Sequence, residues 1–329
     1  MVKNIVEVKD LKAYYQVFNG EVKAVDGLSF TVREGEILGL AGESGCGKST
    51  LASVFVSLQP PLRYIAGEVR LLDQNIMQMP AAEFQRMRLR HISIIPQYAL
   101  DAFSPTRKIK NYIADLVGDH GIKADAAFWE KVKTRLAMVN LDSSVLDRYP
   151  MELSGGMKQR VIMVISTILD PEFLIADEIT SALDVSSQRF VATTLVHLRN
   201  QRIIGSALFI THDLSILYQI ADRIMIMYAG NLMEIGPATE VICQPRHPYT
   251  QALIRSLPRL GVRYKKEKLH GIKGTPPSLL NIGNECRFRY RCPLAIDRCI
   301  EQPQPEQVGD EHFVACWRWA EIGSDVNVS

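Results

Sequence analysis

The sequence lacks any uninterrupted run of eighteen or more apolar residues, so nothing in it is expected to span a bilayer by itself. Its first residues, Met1 to Glu7, show none of the apolar stretch of a signal peptide, and the chain is expected to stay in the cytosol. No sign of charge dominates: 38 Lys and Arg face 36 Asp and Glu for a net charge of +2, which implies no strong polyelectrolyte partner. There is no internal repeat and no low-complexity tract. Cysteine is scarce over most of the length, only Cys46 and Cys243 preceding residue 286. What remains is a chain of 329 residues with 47% hydrophobic content, enough for one large domain with an appendage and a substantial core.

Residues 4 to 40 alternate apolar and polar, with turn signals at Asn19-Gly20 and Glu34-Gly35. That pattern predicts antiparallel strands joined by tight turns. Ile37 to Ala41 is a short apolar run that predicts a buried strand, with a helix opening at Lys48. Residues 67 to 97 give two more strand-like runs around the polar segment Met79 to Arg90, and residues 108 to 150 are polar and helix-rich. Phe173 to Ala176 and Ala207 to Ile210 read as buried strands of a mostly parallel sheet, with a crossover helix over Ser186 to Asn200 between them. Composition then shifts: Arg259, Arg263, Lys265, Lys266 and Lys268 lead to Gly274-Thr275-Pro276-Pro277 and to the cysteines. A domain boundary is therefore placed near 256 to 262.

Gly42-Glu43-Ser44-Gly45-Cys46-Gly47-Lys48-Ser49, followed by Thr50, has the form of a phosphate-binding loop. Its glycines let backbone N–H groups turn inward around phosphate oxygens without a Cβ clash, and the next helix offers its N-terminus to the same anion. Lys48 is placed to reach the β- and γ-phosphates, and the Ser49 hydroxyl to bind Mg²⁺. At Cys46 backbone geometry matters more than the thiol. Asp177 and Glu178 follow a strand, at the edge where open α/β sheets bind ligands. A carboxylate there can hold Mg²⁺, and its neighbour can polarise an attacking water. His212, in Thr211-His212-Asp213, follows the next strand.

About a hundred residues after the loop stands Leu153-Ser154-Gly155-Gly156-Met157-Lys158-Gln159-Arg160. With this signature the chain resembles an ATP-binding-cassette (ABC) ATPase over residues 5 to about 255. The resemblance implies an α/β fold: a P-loop NTPase (RecA-like) core with an antiparallel β subdomain and an α-helical subdomain at about 98–158. It assigns residues 1–258 to the nucleotide-binding domain and 259–329 to a small Cys-rich extension. Tyr15 resembles the aromatic that stacks on adenine, with Tyr14 as the alternative. Gln97 resembles the glutamine that senses Mg²⁺ and γ-phosphate, Asp177 the metal-binding aspartate, Glu178 the catalytic base and His212 the switch. Ser181-Ala182-Leu183-Asp184 resembles a dimer-contact loop. Ser154, Gly155 and Gly156 would face the γ-phosphate of a second cassette, so that ATP lies sandwiched between two.

Pro245-Arg246-His247-Pro248-Tyr249-Thr250-Gln251-Ala252-Leu253 and Gly274-Thr275-Pro276-Pro277-Ser278-Leu279 resemble segments of oligopeptide and dipeptide importers. Relatives of that class also carry oligosaccharides. The resemblance thus implies an ATP-hydrolysing energy-coupling subunit at the cytoplasmic face of the membrane. Its partners would be a paralogous ATPase, two permease subunits and, indirectly, a solute-binding protein, with no nucleic acid. The rival is a soluble ABC ATPase acting on nucleic acid or ribosomes, but one cassette and a modest helical insertion fit it poorly. The sequence departs from the family at Ile179, where proline is usual, at Pro96, where phenylalanine is usual, and at Tyr98-Ala99-Leu100-Asp101.

Cys286, Cys292, Cys299 and Cys316 are spaced C-x5-C-x6-C-x16-C. Four thiolates can satisfy tetrahedral Zn²⁺ or ligate a [4Fe–4S] cluster, and spacing alone leaves both open. The family resemblance implies iron–sulfur, and because a tail of roughly seventy residues with little core benefits from such a staple, a structural role is expected rather than electron transfer. Phe288, Tyr290, Phe313, Trp317 and Trp319 are expected to shield it from solvent.

Overall fold

The structure is a computed structural model and describes residues 3–97, 104–181, 183–256 and 271–322. The chain folds as two compact units. The first is drawn from Val6–Val32, Ile37–Met77 and His212–Ser329, the second from Met1–Ile5, Arg33–Glu36 and Gln78–Thr211. The boundary expected at 256 to 262 and the basic residues Arg259 to Lys268 fall largely or wholly outside the described residues, as do Tyr98 to Asp101 and Ala182. Among the described residues no helix is long and apolar enough to cross a membrane.

In the first unit the alternating pattern near the N-terminus gives the strands Asn4–Val17 and Gly20–Arg33. Asn4–Val17 pairs antiparallel with Leu62–Leu71, from Val6 opposite Leu71 to Tyr15 opposite Leu62. The buried run Ile37–Ala41 pairs in parallel with Arg223–Tyr228, Leu38 opposite Arg223 and Ala41 opposite Ile226. Every residue of both strands is buried, as expected where a strand is covered on both faces. Arg223–Tyr228 then turns at Ala229-Gly230 into the antiparallel strand Asn231–Pro237. The hairpin was not among the expected elements, although Ile-Met-Ile-Met-Tyr before Ala-Gly carries a strand-and-turn signal.

The Cys-rich tail continues the same sheet. His312–Val314 pairs with Asn231–Pro237, Glu234 opposite Val314 and Ile235 opposite Phe313, and Glu306–Gly309 pairs with His312–Val314 in turn. Nearer its start, the tail straps the Gly20–Arg33 strand: Lys23 N–H donates to Leu279 O at 3.0 Å and Asn281 N–H to Glu21 O at 2.9 Å.

Buried charge pins the tail further. Arg287 is almost fully enclosed and pairs with the Asp26 carboxylate. Its Nε donates to Asn231 Oδ1 at 2.6 Å, while the Tyr14 hydroxyl donates to Asp26 Oδ1 at 2.5 Å. Glu234, with no exposed surface, accepts the backbone N–H groups of Arg246 and His247 at 2.8 and 3.0 Å. His312 lies between Glu234 (2.8 Å) and Glu240 (2.9 Å). Burial alone would lower the pKa of that imidazole, but the two carboxylates carry it above its ordinary value.

The second unit holds three parallel strands, Ile92–Ile95, Phe173–Asp177 and Ser206–Ile210. Ile95 lies opposite Ala176, and Asp177 opposite Ile210. The crossover helix expected between the last two is Val185–Asn200, capped by Asp184, which accepts Ser187 N–H at 3.0 Å. The helix-rich stretch yields Ile109–Asp119 and Ala126–Met138, followed by Gly155–Thr167.

Phe288 is the tail's apolar anchor. It is 1% exposed and meets Tyr228 edge-on at 5.3 Å and Tyr249 at 5.3 Å between centroids. Phe288→Ala should therefore destabilise the first unit by roughly 3–5 kcal/mol, read as a lower urea midpoint; a loss below about 1 kcal/mol would contradict this packing.

Candidate nucleotide site and cysteine pocket

The segment 42–47 joins the strand Ile37–Ala41 to the helix Lys48–Val54. Its shape depends on glycine at two points. Gly42 has φ 155° and a Cβ there would meet Met227 O at 2.1 Å; Gly47 has φ 105° and a Cβ would meet Ala24 O at 2.0 Å. Neither a left-handed backbone nor so close an approach admits a side chain. The Lys48 ammonium folds back to donate to Gly42 O at 2.9 Å and Glu43 O at 3.2 Å, and the residue is buried. Cys46 is buried as well, and burial raises its thiol pKa, which suits a packing role within the loop.

Tyr15 and Tyr14 separate cleanly. Tyr14 is buried and engaged with Asp26, so its ring is not available for stacking. Tyr15 is half-buried, and its hydroxyl lies 3.1 Å from Thr50 Oγ1, which puts it beside the loop. Ser49 is exposed at the start of the helix. His212 is exposed, and the neighbouring Asp213 caps Leu214–Ile220 by accepting Ser215 N–H at 2.8 Å.

In the second unit the structure brings Gln97 and Glu178 together. Gln97 Nε2 donates to Glu178 Oε2 at 2.9 Å. Glu178 sits at φ 47°, a left-handed conformation that non-glycine residues hold only when their surroundings require it. Its N–H donates to Ile210 O at 2.9 Å, and Ser181 Oγ donates to its carbonyl at 2.9 Å. Asp177 is buried at the carboxyl end of its strand. Ile179, in place of proline, is simply buried apolar surface. Asp184 is exposed, and hydrogen bonds from Ser186 and Ser187 hold its pKa well below the usual carboxylate range. Ser154 caps Gly155–Thr167, its Oγ accepting Met157 N–H at 3.3 Å. Gly155 is exposed and Gly156 half-buried, and beyond their own helix nothing lies within 4 Å of where a Cβ would stand on either. That leaves an open helix start. Arg160, later in the signature, lies over the Phe190 ring at 4.3 Å.

All four tail cysteines line one small pocket, together with His247, Pro248, Phe288, Leu294, Pro303, Trp317 and Arg318. None is in a disulfide. Burial pushes three of the thiols up, Cys286 to about 12, Cys316 to about 11 and Cys292 in the same direction, and the neighbouring cysteines add to the rise. Among the described residues no three His, Cys, Asp or Glu form a set that could hold a metal ion. Of the expected shielding aromatics, Phe288 and Trp317 line the pocket. Tyr290 does not shield it: it is 73% exposed and bonds Glu285. Trp319 donates instead to Glu306 at 3.1 Å.

Motif reading missed the residues that tie tail to loop. Arg291 donates to the Glu43 carboxylate at 2.6 and 3.0 Å, and Glu43 N–H donates to the Tyr249 hydroxyl at 2.8 Å. No local pattern marks such partners, since Glu43 and Arg291 stand 248 positions apart.

The ABC transporter family matches residues 25–181, and the family described as the oligopeptide/dipeptide transporter C-terminal region matches residues 233–299. The dipeptide transport ATP-binding protein DppD of Caldanaerobacter subterraneus is 37% identical over 321 residues, covering 96% of this chain and 98% of that protein. The oligopeptide transport ATP-binding protein AppF of Bacillus subtilis is 37% identical, with 95% and 97% covered. A dimeric bacterial ABC transporter cassette superposes with a TM-score of 0.63 at 21% identity, over 71% of this chain and 98% of that one, which shows the shared cassette fold. With a glycine-shaped phosphate loop, a capped signature helix and a tail of this type, the chain belongs to the ABC ATPases, among the ATP-binding proteins that carry the oligopeptide/dipeptide transporter C-terminal region.

Proposed function

We propose that this chain is the energy-coupling subunit of an importer for di- or oligopeptides, hydrolysing ATP on the cytoplasmic face of the membrane. The observation that carries this reading is the joining, in one chain, of the phosphate loop 42–49 to a C-terminal region of the oligopeptide/dipeptide transporter type. The full-length likeness to proteins named for dipeptide and oligopeptide transport supports it. The paralogous ATPase that completes a heterodimer and the two permease subunits belong to the same proposal.

In this reading Lys48 and the loop N–H groups bind the phosphates, and Tyr15 stacks on the adenine. Ser49, Gln97 and Asp177 hold Mg²⁺, which when bound neutralises charge developing on the transferred phosphoryl oxygens. Glu178 is the general base. The amide of Gln97 fixes one of its carboxylate oxygens, which orients the group to take a proton from water. His212 steadies that water and the γ-phosphate. The open helix start at Ser154, Gly155 and Gly156 offers N–H groups to the phosphate of a partner cassette, and Asp184 lies in the loop that contacts it. Glu178→Gln should retain nucleotide binding and lower steady-state ATP turnover by at least about a hundredfold. Turnover within a few-fold of the parent would remove Glu178 as the base.

We further propose that the four cysteines hold a [4Fe–4S] cluster with a structural role. Their convergence on one pocket supports this. Anaerobically purified protein should contain about four iron and four sulfide per chain, and Cys299→Ala should lose most of both. One zinc without iron would overturn the assignment.

A further inference from the structure

Glu43 is the second residue of the phosphate loop, and both its backbone and its side chain are gripped from the far end of the chain. Its N–H donates to the Tyr249 hydroxyl at 2.8 Å. Its carboxylate receives a two-pronged grip from Arg291: Nη1 to Oε2 at 2.6 Å and Nη2 to Oε1 at 3.0 Å. Side-chain exposure is 5% for Arg291 and 24% for Glu43, so water screens the pair weakly. The guanidinium is itself fixed. It donates to Tyr228 Oη at 3.0 Å, Lys273 O at 2.8 Å and Ile272 O at 3.2 Å, and it lies 5.6 Å from the Tyr228 ring centroid. Arg291 directly precedes Cys292, on the wall of the cysteine pocket.

A carboxylate inside a loop shaped for phosphates opposes what the loop does, because like charges a few ångströms apart repel strongly when partly buried. An unpaired Glu43 would also be drawn toward the Lys48 ammonium, which already lies 3.2 Å from the Glu43 carbonyl. We propose that Arg291 is a positioning residue of the nucleotide site: it neutralises Glu43 and holds it in place, so that the Cys-rich tail sets the affinity of the loop for nucleoside triphosphate. The fork geometry suits this task, since two parallel N–H···O bonds fix orientation as well as charge. The inference rests on reading residues 42–49 as the nucleotide loop.

The test is an equilibrium titration of the full chain with a fluorescent ATP analogue and Mg²⁺, on the parent, Arg291→Met and the double variant Glu43→Gln/Arg291→Met. Methionine keeps an apolar stem against Tyr228 and Phe288 while removing the charge. Arg291→Met should weaken binding by about tenfold, because it leaves an uncompensated, partly buried carboxylate facing the phosphates. Removing the stranded carboxylate in the double variant should return affinity to within about threefold of the parent, the signature of a coupled pair in a mutant cycle. Unchanged affinity in Arg291→Met overturns the proposal. So does a loss that persists in the double variant, because Arg291 would then act through packing alone. If Arg291→Met is insoluble, Arg291→Gln replaces it: it too removes the charge and the fork, so the same tenfold loss and the same recovery with Glu43→Gln are expected, and unchanged affinity overturns the proposal. A parent chain that binds no nucleotide would instead refute the loop assignment.

Discussion

The first unit is organised around a backbone constraint at residues 42 to 47. The loop closes so tightly on Ala24 O and Met227 O that side chains at Gly47 and Gly42 are excluded. Those two carbonyls belong to different elements, the strand Gly20–Arg33 and the strand Arg223–Tyr228. The loop therefore keeps its shape only while both strands stay in register, and what holds them bears on the nucleotide. Gly230 N–H donates to Cys46 O at 3.0 Å, and Asp26 N–H to Gly230 O at 2.9 Å, which laces loop, strand and hairpin turn into one hydrogen-bonded circuit.

The tail closes that circuit a second time with charge. Arg287 reaches Asp26 and Arg291 reaches Glu43, one arginine just after Cys286 and the other just before Cys292. Buried ion pairs contribute little net stability against an apolar alternative, but breaking one by removing a partner is strongly destabilising. Such pairs specify a position more than they strengthen it. Here they fix the cysteine-bearing turn against the strand Gly20–Arg33 and against the loop itself. The aromatic cluster of Tyr228, Tyr249 and Phe288 fills the space between and supplies the apolar burial that the ion pairs do not.

Much of this was legible in the sequence where the determinants are local. Glycine spacing marked the phosphate loop, apolar runs marked Ile37–Ala41, Phe173–Asp177 and Ser206–Ile210, and the length and pattern of Ser186 to Asn200 marked the crossover helix between the last two. The hairpin Arg223 to Pro237 carried a readable pattern that motif placement passed over. The strands Glu306–Gly309 and His312–Val314 are too short and too polar to announce themselves, and exist because Asn231–Pro237 offers an edge to pair with. The pairing of Glu43 with Arg291 was not legible. Charged residues at positions 43 and 291 look like any surface pair until the fold brings them together. Tyr290 shows the converse: an aromatic beside two pocket residues reads as a shield, yet its side chain turns outward.

The cysteine-bearing tail thus acts as part of the nucleotide site, through Arg291 and Glu43. Amide hydrogen exchange on the intact chain, with and without Mg²⁺–ATP, tests it most directly. If the claim holds, nucleotide slows exchange in residues 42–50 and in residues 285–292 together, because the two share Arg291. Protection confined to residues 42–50, with 285–292 exchanging at an unchanged rate, would contradict it.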